Sequence, residues 1–346
     1  MKSSIWYVGG KSAGHIIPLI TLAGKESKPA VFITTHRDLD KKLIDAAAVH
    51  QFSPQGCHPE LVSGSHPNHL ALYLPDVQRK KIWLYPWYML TWFWASMRLF
   101  YWYGRTRPEK VVSTGGLTAV PVFLVARLMR VPCELFELNA LPGDAVRLLA
   151  PFSDTVFYCY KTALQHLPTR RLQYKPYPVR DFMQVTPYHA RIQLGLDPHR
   201  KTICFLGGSQ GSHFINELAL RIIAGLNPER FQILHQAGAI DFVSLAAEYA
   251  EKGYKAYVVD FYQEIELFYH AADFVICRAG AGTLWELEYM QVPTCIIPLK
   301  TKATDHQVYN AQALCAQKPQ QFKLCLQDDA ERSIERILEM INHLLL

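Results

Sequence analysis

Short apolar runs alternate with helical stretches along this chain: Ile5 to Val8, Ala30 to Ile33, Lys110 to Val112, Thr202 to Leu206, Phe231 to Leu234, Tyr257 to Val259 and Phe274 to Cys277. Apolar runs of this length separated by helical periodicity predict parallel strands covered on both faces by helices. Each half holds its own set, and each half opens with a strand, a Gly-rich turn and a helix. The pattern therefore predicts an α/β chain of two Rossmann-like, doubly wound domains facing a cleft. Between Pro168 and Arg200, Pro176, Pro178 and Pro198 interrupt the periodicity among many polar residues. The boundary is expected there, giving domains of residues 1–168 and 169–346. The last stretch, Asp328 to Leu346, is helical in pattern through Ile334, Ile337, Leu338 and Ile341. Whether it caps its own domain or crosses back stays open. Gln51 to Arg79 spreads Pro, His, Ser and Gly without period and reads as a long surface loop without a motif.

At 346 residues the chain is long enough for two cores of ordinary size. Its formal charge of +6 is spread out, and Lys and Arg do not form the runs that track a phosphate backbone, which speaks against nucleic acid. Mild basicity suits an anionic ligand such as a nucleotide, or an anionic membrane surface. Eight cysteines stand far apart without metal-ligand spacing and read as reduced core residues. The start of the chain lacks a charged leader, a long apolar stretch and a small-residue cleavage site, and a cytoplasmic compartment is expected.

Between Lys80-Lys81 and Arg105 the composition turns aromatic, with Trp83, Trp87, Trp92 and Trp94 among eleven Trp, Tyr and Phe residues. A bilayer-spanning helix needs about 18 or more uninterrupted apolar residues, and Pro86 and Arg98 break the run too early. Trp and Tyr favour the headgroup level and flanking basic residues add attraction to anionic lipid, which fits a helix lying at the interface. A buried helix packed with aromatics has the same composition, so both readings stand.

Four Gly-rich turns follow strands: Gly9 to His15, Thr114-Gly115-Gly116, Gly207 to Ser212, and Arg278 to Thr283. The first nearly spells a P-loop, but His15 and Ile16 stand where Lys and Ser or Thr are required, which excludes that magnesium–ATP chemistry. No acidic residue follows the second strand directly, where Thr34-Thr35-His36 stands, which argues against NAD. What remains is a small-residue turn, with Ser12, Ala13 and Gly14, that precedes a helix from Pro18 and delivers an imidazole to its rim. A neutral histidine there can take a proton from a hydroxyl, which makes His15 the general-base candidate; packing or capping at a helix start is the competing reading. Two such turns per half suit a diphosphate bound by free N–H groups at helix N-termini. Thr283-Leu284-Trp285-Glu286 fits a capping box, whereas Glu286 could instead accept from ribose hydroxyls. Asp305-His306-Gln307 and Asn310 gather polar groups at another helix start, with capping by Asp305 as the alternative.

Taken together, from residue 9 to about 314, these motifs resemble the undecaprenyl-diphospho-muramoylpentapeptide N-acetylglucosaminyltransferases, which convert lipid I to lipid II. Gly9 to His15 resembles the family's G-G-G-T-G-G-H, whose histidine is the proposed base. Phe136-Glu137-Leu138-Asn139 resembles H-E-Q-N, whose asparagine lines the reaction centre, so the resemblance gives Asn139 that place. Tyr177-Pro178-Val179-Arg180 resembles N-P-V-R, and Gly207 to Gly211 reproduces G-G-S-Q-G. By resemblance Arg180 and Ser209 take donor-phosphate roles, Tyr262 packs on uracil through its backbone, Ala281 belongs to the last donor turn, and Glu286 meets the ribose. Gln307 and Asn310 take the sugar-reading positions of D-H-Q-x-x-N. Departures at Lys11, Ala13, Phe136, Leu138 and Tyr177 cluster on the acceptor side.

The resemblance implies a GT-B glycosyltransferase fold with an N-terminal, membrane-associating acceptor domain and a C-terminal donor domain. It also implies inverting transfer from UDP-N-acetylglucosamine to lipid I at the cytoplasmic face of the bacterial plasma membrane, without metal or other cofactor. The aromatic segment falls where the family has its membrane patch, which favours the interfacial reading. Transfer to another lipid acceptor, or a silent UDP-sugar-binding partner in wall synthesis, are the alternatives.

Overall fold

A computed structural model describes residues 3–10, 12–51, 69–73, 85–299 and 305–345. The chain divides into two compact units, Met1–Arg180 and Asp181–Leu346.

The first unit runs β1 (Ser4–Val8), α1 (Ala13–Gly24), β2 (Ala30–Thr35), α2 (Asp38–Gln51), β3 (His69–Leu72), α3 (Tyr85–Thr106), β4 (Pro108–Ser113), α4 (Ala119–Leu128), β5 (Cys133–Glu137), α5 (Asp144–Leu149), β6 (Thr155–Tyr158) and β7 (Leu172–Tyr174). Its strands form one parallel sheet in the order β3-β2-β1-β4-β5-β6-β7. The chain winds outward from β1 in one direction, then returns to β4 and winds the other way. β1 and β4 are therefore the pair at which the connections diverge, the position where such sheets hold ligands at their carboxyl ends. One face buries Trp6, Val8, Val111, Leu135 and Val156 against α3, α4 and α5. Tyr7 and Phe32 lie on the other face with their rings stacked 5.6 Å apart.

The second unit runs α6 (Pro187–Gln193), β8 (Lys201–Leu206), α7 (His213–Ile223), β9 (Phe231–Gln236), α8 (Phe242–Glu251), β10 (Ala256–Val259), α9 (Glu266–Ala271), β11 (Phe274–Cys277), α10 (Ala281–Met290), β12 (Thr294–Ile296), α11 (Asp305–Gln317), β13 (Phe322–Leu324) and α12 (Ala330–Leu345). Its parallel sheet has the order β10-β9-β8-β11-β12-β13, which puts the diverging pair at β8 and β11. The last helix, α12, packs on α7 of its own unit through the fully buried Ile337 and Ile341. Arg191 on α6 ties that short helix to the sheet, donating to the Ala271 carbonyl and pairing with Asp273 at 2.7 Å.

Three expectations need correction. The first helix starts at Ala13, not at Pro18, and carries Pro18 inside it, so His15 stands in a helical first turn instead of on a loop rim. Helix α10 starts at Ala281 with Gly280 as its N-cap, so Thr283 lies inside the first turn and no capping box begins there. The stretch Gln51 to Arg79 is not all loop, because His69–Leu72 pairs with β2 at the sheet edge. The rest of it, 52–68 and 74–79, lies outside the described residues.

The aromatic segment forms α3, one helix of 22 residues with Pro86 at its second position, where a missing N–H costs nothing. Small or short side chains, Thr91, Ala95 and Leu99, are buried at helical spacing beside α4. Large ones that face out include Trp87, Leu90, Phe93, Trp94 (61% exposed), Met97 and Tyr101, whereas Phe100, Trp102 and Tyr103 pack half-buried against the core. Trp92 is half-buried, and Trp83 lies outside the described residues. The C-terminal end of α3 is fastened to β1, with the Trp6 indole donating to Thr106 Oγ1 at 2.9 Å and the Ser4 hydroxyl to the Thr106 carbonyl at 2.9 Å. Among the described residues, no helix is long and apolar enough to cross a membrane. Six of the seven described cysteines are buried and none of the seven forms a disulfide; Cys57 lies outside the described residues.

Candidate active site

In the first unit the diverging strands are joined by a reciprocal pair of hydrogen bonds. His15 Nδ1 lies 3.1 Å from the Thr114 carbonyl, and Thr114 Oγ1 donates to the His15 carbonyl over 3.0 Å. A carbonyl only accepts, so Nδ1 carries the proton and Nε2 is the basic nitrogen of the neutral ring. Gly9 makes this approach possible, because a Cβ there would meet Leu19 Cδ1 at 2.7 Å and both partners of the His15–Thr114 pair at 3.3 Å. The backbone N–H groups of Ser12, Ala13 and Gly14 precede or open α1 and lie outside its internal ladder. The second turn is held by Ser113, whose hydroxyl donates to Val8 and accepts the Gly115 N–H at 3.0 Å. Gly115, at φ +91°, would place a Cβ 2.7 Å from Val146.

On the neighbouring strand β5, Glu137 is 1% exposed and accepts from three groups. Oε1 takes the Asn139 N–H at 2.7 Å and the Asn139 side-chain amide at 3.2 Å, and Oε2 takes the Gly143 N–H at 3.2 Å. Burial pushes its carboxyl up to about 7, and the hydrogen bonds from Asn139 and Gly143 pull the other way. Glu137 therefore fixes both the backbone and the amide of Asn139, which is half-buried at the carboxyl end of the strand.

In the second unit the carboxyl ends of β10, β9, β8 and β11 carry four successive turns. Gly207 has no room for a side chain, since a Cβ would lie 2.5 Å from Ser212 N. Gly211, at φ +76°, faces the Ala237 carbonyl and Gly238 so closely that a Cβ would collide with both. Gly208 and Ser209 stand at the open tip of this turn. Ser212 caps α7, and Arg278 from the far side of the diverging pair clasps it, with Nε and Nη2 donating to its hydroxyl at 3.0 and 2.9 Å. The remaining Arg278 nitrogen donates to the Ile297 carbonyl and to Gln327; burial lowers this guanidinium to about 10, still charged at neutral pH.

Gln236, buried at the end of β9, joins the turns on either side of it. Its amide donates to the Gly208 carbonyl at 3.0 Å and its oxygen accepts the Tyr262 N–H at 3.0 Å. The Tyr262 ring stacks on Phe268 with centroids 4.7 Å apart. Behind these turns runs a buried polar chain. Asn216 donates to the Ala237 carbonyl and to Asp241, which leaves its oxygen to accept from His235 Nε2 at 3.0 Å. His235 Nδ1 then accepts from Tyr249 at 2.8 Å, and burial lowers this histidine to about 3, so it stays neutral.

Further along, Glu286 is buried on α10 and accepts from the Tyr269 hydroxyl at 2.8 Å. Ala281 is the first residue of the same helix. Gln307 Oε1 receives the Leu299 N–H at 3.1 Å, and Asn310, fully buried, donates to the Ala279 carbonyl at 3.4 Å. Arg180 is half-buried at the end of the first unit, after the buried Tyr177 and Pro178. Among the described residues no group of His, Cys, Asp and Glu could hold a metal ion.

The N-terminal domain of glycosyltransferase family 28 matches residues 5–158, and the C-terminal domain of the same family matches residues 202–346. A UDP-N-acetylglucosamine--N-acetylmuramyl-(pentapeptide) pyrophosphoryl-undecaprenol N-acetylglucosamine transferase from Anaeromyxobacter dehalogenans (strain 2CP-1 / ATCC BAA-258) is 31% identical over 325 residues, covering 88% of this chain and 76% of that protein. The chain belongs to the MurG family of glycosyltransferases. The crystal structure of Acinetobacter baumannii MurG superimposes with a TM-score of 0.70 at 21% identity, covering 99% of this chain and 91% of that one. The UDP-GlcNAc 2-epimerase from Neisseria meningitidis bound to UDP-GlcNAc shares the fold at a TM-score of 0.61 and 12% identity, covering 98% and 92%. The fold thus serves different chemistries, and membership of the MurG family rests on sequence.

Within the MurG motifs the departures Phe136, Leu138 and Tyr177 are all buried, while Asn139 and Arg180 stay partly open. Lys11 lies outside the described residues. Sequence reasoning did not single out Gln236, Arg278 or the bonding of Glu137. For Gln236 a signal existed, since it closes a strand that already carries Gln232 and His235, and polar residues are expensive to bury without partners.

Two consequences are measurable. Gly211→Ala is expected to cost about 3 kcal/mol in denaturant unfolding, whereas Gly208→Ala, with open space around it, should cost about 1 kcal/mol from backbone strain alone. The buried carboxyl of Glu137 links stability to pH. Between its ordinary 4.5 and about 7 the unfolded chain releases a proton that the folded chain keeps, so stability falls as pH rises through that window and levels off above it. Thermal unfolding of the parent and Glu137→Gln at pH 5 and pH 8 should show the parent losing stability relative to the variant by up to about 3 kcal/mol. A pH-independent difference would contradict the raised carboxyl.

Proposed function

We propose that this chain transfers N-acetylglucosamine from UDP-N-acetylglucosamine to the muramoyl sugar of undecaprenyl-diphosphate-linked lipid I, inverting the anomeric centre and forming lipid II. The observation that carries the chemistry is the Nδ1 contact of His15 with the Thr114 carbonyl, which makes Nε2 the basic atom. In the proposed step Nε2 takes the proton of the acceptor hydroxyl as its oxygen attacks the anomeric carbon. The bond from that carbon to the UDP oxygen breaks, and UDP leaves with the electron pair. Asn139, held by Glu137, lines the same edge of the sheet and orients the acceptor sugar. The first turn of α1, with Ser12, Ala13 and Gly14, offers N–H groups to the acceptor.

The second unit is assigned to the donor. Leaving-group charge is stabilised by Ser209 at the tip of its turn and by the N-terminus of α7, without recourse to a metal, and Arg180, the last residue of the first unit, is assigned the same role. Tyr262, whose N–H is taken by Gln236, presents its backbone carbonyl to uracil, and the Tyr269 hydroxyl orients Glu286 for the ribose hydroxyls. Ala281 opens α10 at the donor turn. Gln307 meets the sugar through its amide nitrogen, and Asn310 acts through the turn it holds at Ala279.

The outward face of α3 is assigned to an anionic membrane surface on the cytoplasmic side, where the lipid-linked acceptor resides. Exposed Trp87, Phe93, Trp94 and Tyr101 supply interfacial aromatics, and Arg98 and Arg105 lie exposed on the same helix. The adjoining helix α4 adds exposed Leu124 and Leu128.

UDP release measured with and without a soluble lipid I analogue tests the whole reading, and release that ignores the analogue would refute it. His15→Ala should lower analogue-dependent release on the order of 10³-fold with donor affinity unchanged; turnover close to the parent's would remove His15 from the mechanism. Replacing Trp87 and Trp94 together by Ser should abolish co-flotation with vesicles containing anionic lipid while the thermal midpoint holds. Equal flotation of parent and variant would take α3 out of the membrane contact.

A further inference from the structure

The carboxyl edge of the first sheet carries a cation that the reaction above leaves unused. Lys175 directly follows β7, and its backbone N–H donates to the Tyr158 carbonyl over 3.1 Å. Its ammonium turns back across the sheet, 4.7 Å from the centre of the Phe157 ring and 5.1 Å from that of Phe136. The two rings lie 4.6 Å apart on strands that pair them in register. Leu135, the residue before Phe136, pairs with Ser113, the residue before Thr114, whose carbonyl holds His15. The ammonium thus leans along the row of side chains that leads to the candidate base.

Aromatic faces attract a cation without neutralising it. Among the described residues no carboxylate pairs with Lys175, and its side chain has no hydrogen-bond acceptor. A half-buried charge at the ligand-binding edge therefore keeps its three N–H donors for something outside the protein. Covering two phenylalanine rings would require only an apolar chain. Phe136 also stands where the family motif has a polar histidine, so this chain couples an apolar floor to a cation above it.

We propose that Lys175 binds the diphosphate of the lipid-linked acceptor. The assignment rests on the acceptor reading given above. A diphosphate is also present on the donor, but Lys175 belongs to the unit whose His15 takes the acceptor's proton, and its ammonium points along that unit's own sheet.

Initial rates with UDP-N-acetylglucosamine and a soluble lipid I analogue varied in turn test this. Lys175→Met should raise the KM for the analogue about tenfold, leaving kcat and the donor KM within about twofold, and Lys175→Arg should stay close to the parent. An unchanged analogue KM overturns the proposal, and so does a rise confined to the donor KM, which would move the contact to UDP. A footprint on the parent protein needs no variant: a short-chain prenyl diphosphate should protect Lys175 from amine acylation, and the corresponding prenyl alcohol should not. Equal labelling with both overturns the proposal. A parent enzyme that releases no UDP in response to the analogue would sink the acceptor reading itself, and the footprint would still decide whether Lys175 holds a diphosphate.

Discussion

The polarity of a parallel sheet is the constraint from which the site follows. When every strand runs the same way, all carboxyl ends meet one edge, and the loops leaving that edge diverge at one pair of strands in each unit. Divergence leaves a gap in the backbone that side chains must bridge. In the first unit His15 and Thr114 bridge β1 and β4 with two hydrogen bonds, and in the second Arg278 and Ser212 bridge β8 and β11. The same bond that closes the first gap also chooses the histidine tautomer, so the joint between the strands and the ring's proton position share one contact.

Three sets of polar groups near these edges are buried with nearly complete partner sets. Glu137 spends both oxygens on the loop that carries Asn139, and Gln236 spends both ends of its amide on the two turns beside it. The chain from Tyr249 through His235 and Asn216 to Asp241 works similarly, fixing α7 and α8 against the sheet beneath the glycine turn. Each of these residues would be costly to bury alone, and each rigidifies the loop it touches because the alternative is an unpaired group in a low-dielectric interior. The candidate site is thus held from below by polar contacts and kept open above by glycine.

Legibility in the sequence followed burial on both faces. Strands such as Ile5 to Val8 and Phe274 to Cys277, covered on two sides, carry unbroken apolar runs and declare themselves. β3 does not, because an edge strand of four residues with half-buried His69 and Ala71 resembles loop sequence. The three-residue strands β12 and β13 are too short to show a period. The start of α1 was obscured by Pro18, since a proline usually marks a helix's first turn and here stands beyond it. For the site, glycine turns and the histidine could be read from spacing. The partners of Glu137, Gln236 and Arg278 could not, because they arrive from distant parts of the chain and only the fold brings them together.

The aromatic helix shows how composition can mislead about direction. Its aromatic richness is equally compatible with core and surface, yet the core took Thr91, Ala95 and Leu99, and Trp87 and Trp94 went outward. Thr91, Ala95 and Leu99 take the buried stripe beside α4, Phe100, Trp102 and Tyr103 pack half-buried against the core at the helix end, and Phe93, Met97 and Tyr101 stay outside with the two tryptophans.

The two glycines Gly211 and Gly238 meet back to back, each so near the other that a Cβ on either would lie 2.7 Å from its partner's Cα. Neither position can therefore drift while the other stands. Over evolutionary time such a pair behaves as a single character shared by two codons, and related sequences should either keep both glycines or have rebuilt both turns together.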